Sequence, residues 1–258
     1  MIHLIIGTKA QLIKMYGVID YFQKNNIEYN YIDTCQHPNI SAQLRKTFAI
    51  KEPDFRIIDS KQTINSTFKG LNWIIKIFFL GIFKRKKIFK GDKNGICFVH
   101  GDTMTTILGA IIGKLGGQRI VHLEAGERSG KLFKPFPEEL SRIMTDKISS
   151  YNFAFIKKDL DNVNRINPKA KNYYVQENTL LDTVEASREF NSSNKLPKEF
   201  ILVSIHRYET IISKKRIKFI VDTINDFSKK HKVIWGLHSP TERALKKFNL
   251  YNDLKKNK

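Results

Sequence analysis

Residues 96–142 constrain this chain more than any other stretch. They read ICFVHGDTMTT and then ILGAIIGKLGGQRIVHLEAGERSGKLFKPFPEELSR. Two short apolar runs, Ile96–Val99 and Ile120–Leu123, have the length of buried strands, and Thr105–Leu115 between them has the length of a crossover helix. A strand–helix–strand unit places its strands parallel, and ligands of such sheets gather beyond the strands' carboxyl ends. Each apolar run ends in polar residues at that position: His100-Gly101-Asp102-Thr103 and Glu124-Ala125-Gly126-Glu127-Arg128. Pro137-Glu138-Glu139 follows with a further acidic pair. Three separated acidic positions, Asp102, Glu124 and Glu138, around one cleft point to an acid–base enzyme rather than a passive module.

The same alternation runs through the rest of the chain. Ile2–Ile6 reads as a strand, Gly7-Thr8-Lys9-Ala10-Gln11 as a turn and Leu12–Asn25 as a helix. That turn could offer backbone N–H groups to an anion, with Lys9 and Lys14 beside it, but with neither a Walker loop nor a GxGxxG run an ordinary β–α turn with two solvated lysines is the preferred reading. Tyr29–Thr34 and Asp54–Ile58 read as further strands, with His37 in the turn after the first of them. Ser149–Phe155 reads as a strand at the edge of its domain, and Asn172–Val175 as another strand. The spacing places a domain boundary near Val175, giving domains of residues 1–175 and 176–258. Beyond it the pattern restarts with strands at Phe200–Ser204 and Val233–Leu237 and a helix over Lys214–His231. Two strands are few for a doubly wound domain. The polar tail from Lys246 reads as a helix without a surface to pack on, so we expect a second domain that stops part-way.

Charge narrows the partners. Lys plus Arg number 45 against 25 Asp plus Glu, a formal net charge of +20, which favours anions. The lysines are spread along the chain and no nucleic-acid recognition motif accompanies them, so nucleic acid is disfavoured. Cys35 and Cys97 have no metal-ligand spacing, and neither half carries the glycine fingerprint of a dinucleotide site. No metal or cofactor is expected. The first strand starts at residue 2, and a cytoplasmic protein without a signal peptide is expected.

Leu71–Phe83, LNWIIKIFFLGIF, precedes Lys84-Arg85-Lys86-Lys87. Thirteen residues are too short to cross a bilayer, which needs roughly 20. The segment could lie on an anionic membrane, or serve as an outer helix of the β–α repeat with its basic end where cations suit the helix dipole. The second reading is preferred, and membrane contact is disfavoured.

Taken in order, the motifs resemble the UDP-N-acetylglucosamine 2-epimerase family. They are Gly7-Thr8 with Lys14-Met15, His100-Gly101-Asp102-Thr103, His122-Leu123-Glu124-Ala125-Gly126 with Arg128, Pro137-Glu138-Glu139 with Arg142, Asn178-Thr179 with Asp182, and His206-Arg207 with Glu209. The resemblance implies an α/β chain with two Rossmann-like domains of the GT-B type, parallel sheets in each, the second incomplete here. It also implies a UDP-sugar substrate, no cofactor, a homodimer, and a role in making precursors of bacterial surface polysaccharides. The family's later Asp-Ser-Gly-Gly and Glu-Glu segment, which holds the nucleotide, has no counterpart in this chain. Lys9-Ala10-Gln11 stands where many members have Arg-Pro-Glu, Glu177 where a Gly is usual, and Tyr208 where a second Arg is common.

The family's route inverts C2 of a UDP-N-acetylhexosamine by eliminating UDP to a 2-acetamidoglucal. That route requires an acid and base at C2 and stabilisation of the departing diphosphate. By resemblance, Asp102, Glu124, Glu138 and His206 are the candidate catalytic residues, and Lys9, Lys14, Arg142 and Arg207 the candidate substrate-binding ones. The bland alternatives are that Asp102 caps the helix after it and that Glu138-Glu139 is a solvated first turn. Two other functions compete: a GT-B glycosyltransferase at a membrane face, and an inactive epimerase fragment with little or no turnover.

Overall fold

The computed structural model describes residues 1–59, 67–132, 136–188, 196–205 and 207–255. Its contacts divide the chain into two compact units, Met1–Asn191 and Ser192–Lys258.

The first unit alternates strands and helices in chain order. These are β1 (Ile2–Ile6), α1 (Lys9–Lys14), α2 (Tyr16–Lys24), β2 (Tyr29–Asp33), α3 (Pro38–Thr47), β3 (Phe55–Arg56), α4 (Thr67–Phe83) and α5 (Arg85–Ile88). They continue as β4 (Ile96–His100), α6 (Met104–Leu115), β5 (Arg119–Leu123), α7 (Glu138–Ile148), β6 (Tyr151–Ala154), α8 (Lys157–Ile166), β7 (Lys171–Tyr174) and α9 (Leu180–Ser187). Among the described residues, seven strands form one parallel sheet in the order β3-β2-β1-β4-β5-β6-β7. The order reverses between β1 and β4. Their helices leave to opposite faces there, so the carboxyl ends of β1 and β4 border a crevice.

Both faces of the sheet are covered, which is why its central strands read as continuous apolar runs rather than alternations. On one face Ile5, Cys97, Val99 and Ile120 pack against Trp73 and Ile77 of α4 and Ala110 and Ile112 of α6. On the other, Leu4, Ile6, Tyr31 and Val121 pack against Leu12, Ile19 and Phe22. Glycines on α6 let that helix approach closely; a Cβ on Gly109 would lie 2.9 Å from the Ile5 side chain. The segment that sequence left between a membrane surface and a crossover helix is therefore α4, joining β3 to β4 with Trp73 and Ile77 buried. No helix of the described residues is long and apolar enough to cross a membrane.

Three sequence expectations change in the first unit and at its boundary. The 149–155 strand is internal: β6 pairs with β5 on one side and β7 on the other, so β7 is the edge. The helix after the first turn is broken into α1 and α2 at Met15. The division between compact units falls after Asn191 rather than near Val175. Residues 180–187 form a helix against α1 and α2, and Thr183 donates a 2.6 Å hydrogen bond to the Ile13 carbonyl.

The second unit holds β8 (Ile201–Val203), α10 (Tyr208–Ile211), α11 (Lys214–Ser228), β9 (Val233–Trp235), α12 (Ser239–Lys247) and α13 (Tyr251–Lys255). Its two strands pair in parallel, with Ile201 opposite Val233. Ile217, Val221, Leu245 and Leu250 form its core, and Leu254 packs on it. The tail from Lys246 thus has a surface to pack on. It turns at Asn249, in the left-handed region at φ 60°, and returns Leu250 to the core.

Candidate active site

The carboxyl ends of β1, β4 and β5 and the first turns of α7 carry the site. At the first of these, Thr8 caps α1 and its Oγ1 accepts from the Gln11 N–H. Gln11 answers through Oε1, which accepts from the Gly7 and Thr8 N–H groups at 3.1 and 3.2 Å. The reciprocal arrangement is a capping box. The Lys9 N–H is directed at His37 Nδ1, 3.4 Å away. The backbone donors of this turn are therefore taken within the protein rather than left for an anion. Gln11 also donates from Nε2 to the His100 carbonyl and to Thr106 Oγ1, both at 3.1 Å, and so ties the end of β1 to the end of β4. Lys9 sits at the first position of α1, half-exposed.

Asp102 does not cap α6. The cap position is Thr103, and the Asp102 carboxylate instead meets Arg142 of α7 at 2.5 Å. Arg142 is a hub: Glu127 lies at 3.1 Å and Glu139 at 3.4 Å. Burial works against its charge, but Asp102, Glu127 and Glu139 outweigh burial and hold its pKa above the ordinary value.

Glu124 follows β5 in the left-handed region, at φ 63°. A non-glycine residue there is uncommon and marks a functional or strained position. The turn aims its carboxylate at Lys14, whose Nζ lies 2.6 Å from both oxygens. His100 Nδ1 lies 3.5 Å from Glu124 Oε2, and His100 Nε2 lies 3.1 Å from Thr179 Oγ1. Burial, with Lys14 and His122 nearby, pushes the His100 pKa well below the ordinary value, so its ring is neutral. Gly101 joins the two acids. It sits at φ 70°, and a Cβ there would come within 3.3 Å of Glu124 Oε2.

Glu138 and Glu139 open α7, but they differ. Glu139 is 3% exposed and accepts from the Ser129 N–H at 3.0 Å as well as from Arg142. Glu138 is half-buried, and its Oε2 is buried with no hydrogen-bond partner among the described residues. Contacts therefore connect Glu124 to Gly101-Asp102, Asp102 to Arg142, and Arg142 to the first turn of α7. The bland reading of a solvated acidic turn does not hold for Glu139. Sequence named Glu139 only as half of an acidic pair and Gln11 only as part of a turn, and assigned no role to either, nor to His100 or His122. Spacing could have found one of them: Glu139 precedes Arg142 by three residues, one helical turn.

Arg207 is exposed in the second unit, just before α10. His206 lies outside the described residues. Among the described residues, no group of three or more His, Cys, Asp and Glu side chains could hold a metal ion.

Comparison with known proteins now decides the family. The model of the UDP-N-acetylglucosamine 2-epimerase family matches residues 20–256. The chain belongs to that family. The UDP-N-acetylglucosamine 2-epimerase of Methanocaldococcus jannaschii is 30% identical over 99% of this chain and 70% of its own length. That of Bacillus subtilis is 31% identical over 80% of this chain and 54% of its own length. Among solved structures, the M. jannaschii UDP-GlcNAc 2-epimerase in complex with UDP-GlcNAc and UDP superposes with a TM-score of 0.78 at 27% identity, covering all of this chain and 71% of that one. The Neisseria meningitidis enzyme bound to UDP-GlcNAc gives 0.74 at 26% identity, covering 95% and 69%. The fold of this chain is thus the GT-B-like α/β fold of these epimerases.

Proposed function

We propose that this protein is a UDP-N-acetylglucosamine 2-epimerase, an isomerase that inverts C2 of a UDP-N-acetylhexosamine. In this reading a carboxylate removes the C2 proton while the C1–O bond to UDP breaks, leaving a 2-acetamidoglucal and UDP. UDP then adds back at C1 as C2 takes a proton on the opposite face. The observation that carries the reading is that the acids at the ends of β4 and β5 and the start of α7 stand in different environments, with Asp102 joined through Arg142 to Glu139 in the first turn of α7. Asp102 is paired with Arg142, Glu124 is held between Lys14 and neutral His100, and Glu138 keeps one buried oxygen unpartnered. Acids held in unlike environments can take unlike roles in proton transfer. Asp102, Glu124, Glu138 and His206 are proposed as the catalytic residues. Lys9, Lys14, Arg142 and Arg207 are proposed to meet the diphosphate or steady the carboxylates. The first domain supplies the acids and the second, partial domain supplies nucleotide contacts. The product would feed bacterial surface polysaccharide synthesis, such as capsule or lipopolysaccharide, from the cytoplasm.

Two partners belong to this reading: the UDP-sugar and a second copy of the chain. Leu71, Ile75, Phe79 and Phe83 recur every four residues along α4 and are all exposed, Phe83 by 79%. Beside them a groove of about 890 Å³ is lined by residues of α4, α6 and α7, Met104, Ile111 and Met144 among them, and by Phe136 just before α7. Large continuous apolar surface marks an association site.

The test is solvent exchange at C2. The protein is incubated with UDP-GlcNAc in deuterium oxide and the sugar followed by proton NMR. Loss of the C2 proton signal, with a second C2 epimer appearing, is expected. Retention of that proton at stoichiometric enzyme would sink the proposal, because glycosyl transfer or simple binding leaves the C2–H bond closed.

A further inference from the structure

His122 is the buried histidine of β5, and no role in the reaction has been given to it. Its side chain and that of Asp146, in the third turn of α7, are both 0% exposed. His122 Nδ1 lies 2.7 Å from Asp146 Oδ1, and Nε2 lies 2.8 Å from the Gly101 carbonyl oxygen. A carboxylate paired with an arginine and a backbone carbonyl are both acceptors only. Both ring nitrogens therefore donate, and the ring acts as a two-headed donor between two elements. Asp146 is fixed in turn: Arg128 pairs with its Oδ2, and the Gly126 N–H donates to the same oxygen at 3.3 Å. Burial would raise the Asp146 pKa, but His122 and Arg128 outweigh it and hold the carboxylate ionised.

The other end of this chain of bonds is the peptide that precedes Asp102. Gly101 donates its N–H to the Leu123 carbonyl at 2.9 Å and receives the His122 ring on its own carbonyl. It is thus pinned to β5 from both sides, in a left-handed conformation that has few other constraints.

We propose that His122 is a positioning residue for Asp102. Anchored on Asp146, it holds the Gly101 carbonyl and thereby sets where Asp102 stands relative to Glu124 and Arg142. For its meaning in catalysis this rests on the epimerase reading; for its geometry it does not. The bland alternative is a satisfied core histidine that contributes stability alone. The two differ in which nitrogen matters. An asparagine amide can replace Nδ1 and keep the bond to Asp146, whereas a glutamine amide can replace Nε2 and keep the bond to Gly101.

The experiment compares His122→Asn with His122→Gln in the full chain. His122→Asn is expected to lower kcat on the order of 10–100-fold with little change in KM, because small misplacements of a reacting group cost that much. His122→Gln, which gives up the Asp146 bond and some thermal stability with it, is expected to retain more of kcat than His122→Asn. Two measurements do not need turnover. Amide hydrogen exchange at Gly101 should quicken in the Asn variant and stay slow in the Gln variant. Nitrogen-15 spectra of the parent should show a proton on His122 Nε2, the nitrogen that faces the Gly101 carbonyl. Equal behaviour of the two variants, or an Nε2 without a proton in the parent, overturns the proposal. A parent chain without C2 exchange would refute the epimerase reading, while the exchange and ring spectra would still decide the positioning.

Discussion

Arg142→Met removes the guanidinium that Asp102, Glu127 and Glu139 share. The cost depends on which carboxylate is stranded. Glu127 is 52% exposed and Asp102 29%, so water takes over much of their solvation and each contributes little. Glu139 is 3% exposed and keeps only the Ser129 N–H. Stranding one partner of a buried pair costs about 3–5 kcal/mol. The surviving N–H bond lowers that to about 2–3 kcal/mol. A unit of this size shifts its midpoint by about 2–4 °C per kcal/mol, so a fall of roughly 5–10 °C is expected. The assay is thermal unfolding followed by fluorescence of Trp73, buried in the first unit, in a Trp235→Phe background. Two controls test the reasoning. Arg142→Lys keeps the charge without the fork and should lose about half as much. Arg142→Met combined with Glu139→Gln should recover stability relative to Arg142→Met alone, since the stranded charge is gone. A fall below about 1 °C, or no recovery in the double variant, would refute the claim that buried Glu139 makes Arg142 necessary.

Other outcomes follow from the same geometry. Glu124→Gln and Asp102→Asn should each abolish C2 exchange while UDP affinity by calorimetry stays within a few-fold of the parent; a collapse of UDP affinity would make the residue structural. His100 is held neutral in the folded chain below its ordinary pKa of 6.5, so the unfolded chain binds the extra proton. Its contribution is present above about pH 6.5 and is lost as pH falls, by up to about 1.4 kcal/mol per pH unit. Urea titrations between pH 5 and 7 should therefore show a shallower pH slope in His100→Gln than in the parent. Gly126 sits at φ 87°, and a Cβ there would come 2.1 Å from the Asp159 carbonyl oxygen, so the backbone must shift. Gly126→Ala should cost at least about 2 kcal/mol in urea unfolding and disturb the N–H that Asp146 accepts. Phe79→Glu should convert a sedimenting dimer to monomer; unchanged sedimentation together with loss of vesicle binding would assign the α4 face to lipid instead.

The positions of Asp102 and Glu124 just past two strands were legible because strand ends are legible: an apolar run that stops at a polar cluster marks a carboxyl terminus, and parallel sheets gather polar residues there. The identity of the β4–α6–β5 unit, and the family, followed from that pattern together with motif order. Partnerships were not legible, because they join residues far apart in sequence. Asp102 and Arg142 are 40 residues apart, Lys14 and Glu124 are 110 apart, and Gln11 reaches Thr106 across 95. A local reading could offer Asp102 only the helix cap as a structural partner, since the nearest available partner is all that sequence can propose.

Sequence also read residues 71–83 as helical and preferred an outer helix of the repeat. It could not say which face is buried, because a helix that is apolar nearly all round shows no preferred side. The edge of the sheet was hidden for a related reason: Tyr151–Ala154 and Lys171–Tyr174 look alike as isolated strands, and only pairing shows which one lies outside. His122 is the sharpest case. In sequence it is one polar residue inside an apolar strand. Only the fold gives its two nitrogens opposite destinations, because the bonds that define it run sideways through the sheet rather than along the chain.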